Sequence, residues 1–104
     1  MANRHRGEIE AELSGQTYVL CLTLGALADI ESAYGGEDLI AIAERFETGR
    51  ISATDAIRVI GAGLRGAGNA FSNDEVAAMT ARGGAAGYLD IVVRLLKATF
   101  GHGE

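Results

Sequence analysis

The chain has no proline and one cysteine in 104 residues. Without proline it has neither a stiff polyproline arm nor a proline-rich linker. A single thiol, Cys21, excludes an internal disulfide framework and any zinc site built from cysteines alone. Imidazole is scarce as well, and His5 and His102 both lie near the chain ends, so a metal site would need the termini to meet. No apolar run approaches the roughly 20 residues that a membrane helix requires. No charged start leads through an apolar stretch to a cleavage site. These absences lead us to expect a soluble intracellular protein with no membrane partner. Nine basic against fourteen acidic residues give a net charge of −5, which repels nucleic acid unless basic groups cluster.

What is present suffices for one domain, residues 1–104. Hydrophobic residues make up 48% and charged residues 22%, a composition that can bury a core. At this length folding removes roughly 65% of the unfolded surface from water. The charge is uneven. Residues 1–48 carry a net −6 and residues 49–104 a net +1. Apart from the Arg4-His5-Arg6 tip, which reads as a disordered end, the front half is acidic.

Glu8, Glu10 and Glu12 alternate with Ile9, Ala11 and Leu13, the period of a half-buried strand. Ser14-Gly15 signals a turn, and Gln16–Thr23 is rich in β-branched and aromatic residues. The reading is a hairpin with strands at about 7–13 and 16–23. Tyr18, Leu20 and Leu22 oppose Val19 and Cys21 on the second strand, which implies cover on both faces. Cys21 reads as a buried structural thiol.

From residue 24 the period becomes helical, with helices expected at about 24–34, 38–48, 53–65, 73–82 and 85–100. The apolar stripes are Leu24, Leu27 and Ala28 beside Ile30 and Tyr34; then Leu39, Ile42, Ala43 and Phe46; then Ile57, Ile60, Gly61 and Leu64; and finally Tyr88, Leu89, Val92, Leu95, Leu96, Thr99 and Phe100. Val76 and Met79 point inward from the fourth helix. Gly35-Gly36, Gly49, Gly83-Gly84 and Gly101 stop helices. Ser52 caps the third helix with Asp55 in its first turn, and Ser72-Asn-Asp-Glu75 is a capping box. The fold class is α+β: an N-terminal antiparallel β-hairpin followed by a bundle of four to five α-helices.

Gly61, Gly63 and Gly66 match the G-x-G-x-x-G spacing of a dinucleotide fingerprint. That chemistry needs a strand before the glycines and a helix opening at them, so that the helix N-terminus holds pyrophosphate. Here a helix runs into the glycines, and no acidic residue follows about 20 positions on. Nucleotide binding is a remote alternative to close helix packing at Gly61 and Gly63, with Gly66 and Gly68 in a loop. No serine lies in G-x-S-x-G or beside a histidine, and no nucleophile, base and oxyanion set assembles. The chain is expected not to be an enzyme, with no catalytic, cofactor or metal residues.

Several segments together resemble a known family: Ala2-Asn-Arg-His-Arg-Gly-Glu8, Leu22-Thr-Leu-Gly-Ala-Leu-Ala-Asp-Ile-Glu31, Gly61-Ala-Gly-Leu-Arg-Gly66, Ser72-Asn-Asp-Glu-Val76 and Gly83-Gly84 before the last helix. In order and spacing they resemble the small gene transfer agent family protein, encoded among the tail genes of phage-derived particles that package host DNA. The resemblance covers about residues 2–100. It implies one of two roles: a phage-type tail assembly chaperone, or a structural tail tube component. Tube subunits of that kind use a β-sandwich or barrel, which two strands do not supply, so the chaperone is the main expectation. The resemblance implies the tape measure protein and the tail tube protein as partners. It implies a bacterial cytoplasmic location, with incorporation into the particle as the alternative. A homo-oligomer stays open. The family transfers no site residue. The candidate contact surface is drawn from the acidic front half: Glu31, Glu37, Asp38, Glu44 and Glu47.

Overall fold

The structure, a computed structural model, describes residues 6–100. Its elements are β1 (Glu8–Leu13), β2 (Gln16–Cys21), α1 (Leu24–Ala33), α2 (Leu39–Glu47), α3 (Ala53–Gly66), α4 (Asn73–Ala77) and α5 (Ala85–Phe100). The described chain is thus an α+β fold, an antiparallel two-stranded hairpin followed by five helices.

The hairpin register pairs Glu8 with Cys21 and Leu13 with Gln16. Its turn residues Ser14 and Gly15 both have positive φ (52° and 79°), which matches the right-handed twist of the flanking strands. The glutamate alternation works as expected: Ile9, Ala11 and Leu13 are buried while Glu10 and Glu12 are exposed. Among the described residues the two faces of β2 are covered unequally. Leu20 is fully buried, but Val19 and Cys21 are only half-buried, because α3 and α5 supply cover to one face. β2 also ends at Cys21 rather than residue 23, since Thr23 turns away to cap α1 through its Oγ1, which accepts from Ala26 N–H.

Two side chains occupy outward carbonyls of the hairpin. Glu10 and Val19 are register partners. Arg94 Nη1 donates to the Glu10 carbonyl (2.8 Å), and Asn69 Nδ2 donates to the Val19 carbonyl (2.9 Å). The turn is clamped too: Ser14 N–H donates to the Thr80 carbonyl (2.7 Å), and Thr80 N–H donates to Ser14 Oγ (3.2 Å). A free strand edge invites pairing with another chain, and these bonds blunt both edges.

Helix α3 is the hub. Ala56, Val59, Ile60, Ala62 and Leu64 are all buried, more of its circumference than the expected stripe of Ile57, Ile60, Gly61 and Leu64. It packs against β2, α1, α4 and α5. In α1 the inward face is Ala26 and Ile30. Leu24, placed on the inward stripe by periodicity, is 82% exposed, because it opens the helix at the hairpin exit before the helix meets α3.

The fourth helix was expected over 73–82 and is five residues long. After Ala77 the hydrogen bonds tighten to i→i+3, from Ala78 N–H to the Glu75 carbonyl and from Met79 N–H to that of Val76, and Thr80 is then drawn to Ser14. Its capping box forms as expected: Ser72 N–H donates to Glu75 Oε1 (2.8 Å), and Glu75 N–H donates to Ser72 Oγ (3.1 Å). So short a helix depends on its cap. Ser72→Ala is expected to lower stability by about 1 kcal/mol, read as a lower urea midpoint with an unchanged slope.

Candidate interaction surface

Helices α1, α2 and α3 meet around a polar cluster. The Tyr34 hydroxyl, just past α1, donates to Asp55 Oδ1 on α3. Asp55 also completes a capping box: Ser52 N–H donates to Asp55 Oδ2 (2.9 Å) and Asp55 N–H donates to Ser52 Oγ (3.1 Å). From α2, Arg45 Nη2 lies 3.6 Å from Asp55 Oδ1, and its guanidinium stacks over the rings of Tyr34 (4.8 Å) and Phe46 (5.7 Å). Arg58 covers Tyr34 from α3 at 5.1 Å. Asp55 is only 7% exposed.

Burial alone would raise the Asp55 pKa. The hydrogen bonds from Tyr34 and Ser52, with the Arg45 charge, outweigh it and hold the carboxyl below its ordinary value. Burial, together with the bond to the Asp55 carboxylate, pushes the Tyr34 phenol up to about 12. A raised tyrosine pKa favours the neutral folded form. The contribution is therefore intact below the unfolded value of about 10 and is lost as pH rises through about 12. Phenolate absorbance is expected to show a late step near pH 12 that Tyr34→Phe removes.

Of the candidate surface residues, Glu37, Asp38, Glu44 and Glu47 are exposed and Glu31 is half-buried. Four of the five gather on α2 and its approach. Asp38 has a structural task, because its Oδ1 accepts from Ala41 N–H (2.8 Å) and caps α2. Glu31 sits apart on α1.

The residues that form the apolar ground beside these acids were not assigned from the sequence. Ala43, Phe46 and Glu47 of α2 face Val93, Leu96, Lys97 and Phe100 of α5 across a groove of about 360 Å³. Ile40, 72% exposed, and Val93, 39% exposed, continue its apolar surface outward. The signal lay in α2 itself, where Ile40, Ala43 and Glu47 share the face next to the one that buries Ile42 and Phe46. A second groove of about 290 Å³ opens between α3, α4 and α5, with Ile57, Ile60 and Met79 in its lining.

The glycine motif has a packing explanation. Helix α3 passes through all three glycines instead of opening at them, which removes the geometry that holds pyrophosphate. A methyl at Gly63 would lie 2.7 Å from Leu95 Cδ2, and one at Gly66 would run into the Cys21 carbonyl. Gly66, expected in a loop, is therefore the last residue of α3 and a close-approach position. The loop begins after it: Gly68, φ 94°, lets Asn69 N–H reach back to the Leu64 carbonyl (2.8 Å) and close the helix.

Cys21 is half-buried rather than fully buried. Its thiol points to the Arg6 carbonyl (3.5 Å), and burial, reinforced by Glu8, raises its pKa, so the nucleophilic thiolate is disfavoured. Among the described residues, no group of three or more potential ligands could hold a metal ion, and no helix is long and apolar enough to cross a membrane. His5 and His102 lie outside the described residues, as does Arg4.

No curated protein and no solved structure matches the chain. A family match, by contrast, extends over residues 6–102, from the strand-leading Arg6 to beyond α5, and so spans the hairpin, the glycine row and every helix. The chain belongs to the family described as phage tail tube protein, GTA-gp10.

Proposed function

We propose that the protein works in the tail of a gene transfer agent, as a component of the tail tube in the phage-like particle. The family match over residues 6–102 carries this reading. On it, the partners are other tail components, the role is binding rather than catalysis, and copies assemble with one another along the tail.

A second reading, favoured by a specific observation, is the tail assembly chaperone. Among the described residues the sheet has two strands, and Arg94 and Asn69 occupy outward carbonyls on both edges. A tube wall built from continuous β-structure would need those edges free. An acidic, mainly helical protein with apolar grooves instead suits transient cover of a tape measure protein, whose long apolar helices aggregate when bare. Such a chaperone binds the tape measure and tail tube proteins in the bacterial cytoplasm and does not enter the particle.

Counting copies in purified particles, beside a pull-down with the tape measure protein, separates the two. Stoichiometric copies along the tail support the tube component. Tape measure capture without copies in the particle supports the chaperone. Absence from the particle together with no binding to any tail protein would overturn both.

A further inference from the structure

The groove between α2 and α5 has an asymmetric rim. Arg45 is the sole base within α2, and it is folded inward onto Asp55, Tyr34 and Phe46. Among charged groups the helix therefore shows the solvent mainly carboxylates: Glu44 and Glu47 along it, Glu37 and Asp38 at its start, all four exposed, while Arg45 is half-buried. The floor is Ala43, Phe46, Val93, Leu96 and Phe100, with Lys97 as the opposing charge. The second groove has neither a carboxylate nor a base in its lining, so nothing there selects a partner by charge.

The hold on α2 adds to this. Its backbone makes no contact with another element as extensive as those of the other helices, and it is anchored through Ile42, Phe46 and Arg45. A groove with one wall held by side chains can widen to admit a helix while the backbone packing of α3 against β2, α1, α4 and α5 stays in place. We propose that this groove docks an amphipathic helix of another tail protein, one whose apolar stripe is flanked by lysines or arginines. The apolar stripe would lie on Phe46, Val93 and Phe100, and its basic flank would face Glu44 and Glu47. The inference deepens the tail-binding role and rests on it for the identity of the partner.

The test uses the full chain and two synthetic 18-residue helical peptides, each with leucines on one face, flanked in one by lysines and in the other by glutamates. Amide shift mapping is expected to place the lysine peptide on the groove, with changes at Ala43, Glu47, Val93 and Lys97. The glutamate peptide is expected to bind at least tenfold more weakly. Val93→Glu is expected to weaken the lysine peptide at least tenfold. The double variant Glu44→Lys with Glu47→Lys alters two exposed positions without touching the core, and is expected to reverse the preference between the peptides. Shifts confined to the α3–α4–α5 groove, absence of binding, or unchanged affinity in the double variant would overturn the proposal. The same variants are then offered to the tape measure and tail tube proteins. Tail-protein binding that survives both variants refutes this groove and spares the tail-binding role; peptide docking here without any tail-protein binding does the reverse.

Discussion

Asp55→Ala is expected to lower the stability by about 3 kcal/mol. The carboxylate is nearly buried and serves three helices at once. It accepts from Tyr34 past α1, from Ser52 N–H at the start of α3, and it lies beside Arg45 of α2. Removing it strips the capping box, orphans the Tyr34 hydroxyl and leaves Arg45 without its counter-charge, although Nε of that arginine already has no partner. Chemical denaturation at neutral pH measures the loss. The pH dependence provides a second check. Because the folded pKa of Asp55 is lowered, its contribution is present above the unfolded value of about 3.9 and is lost as pH falls through the folded value. The gap between native protein and variant should narrow below about pH 4. A gap that stays constant into acid would show that lost packing, not the ionised carboxylate, accounts for the effect.

Gly66→Ala is expected to cost about 3 kcal/mol, against the ordinary rule for helices. Elsewhere in a helix the same change gains about 1 kcal/mol from propensity. Gly66 does not have a positive φ, so its backbone suits alanine well. The obstacle is space: the new methyl would meet the Cys21 carbonyl, with Thr23 N 3.4 Å away. Those are backbone atoms at and just beyond the end of β2 and cannot swing aside as a side chain does. Gly63→Ala should cost less, since its nearest neighbour is a side-chain atom, Cδ2 of the buried Leu95 at 2.7 Å, which can give further than a backbone carbonyl can. Thermal melts of the two variants rank them. A stabilised Gly66→Ala protein would overturn the close approach of α3 to the Cys21 carbonyl.

Much of the fold was legible because its signals are local. The Glu8–Leu13 alternation, the positive-φ pair Ser14-Gly15, and the caps at Ser52 and Ser72 act over two to four residues and read directly from the chain. Boundaries failed where a distant partner decided them. Thr80 ends the α4 segment by joining Ser14, and Thr23 leaves β2 to cap α1. The stripe on α3 was too narrow because a helix packed by β2, α1, α4 and α5 keeps only a thin solvent face, Thr54, Arg58 and Arg65, and buries the rest of its circumference. In the surface region the acids were visible one by one. Their common outward face was not, because it depends on Arg45 turning inward to a carboxylate ten residues away, and the groove beside them needs α5 from the far end of the chain.

The clamp on the hairpin has a consequence for how the chain is made. β1 leaves the ribosome well before α5, yet its cover comes from α5, its Glu10 carbonyl waits for Arg94, and the turn at Ser14 waits for Thr80. Synthesis at about 5–20 residues per second leaves Ile9, Ala11 and Leu13 bare for several seconds. The nascent chain must hold that strand open until α5 emerges, and its glutamates, one at every second position, keep neighbouring nascent chains from closing on it in the meantime.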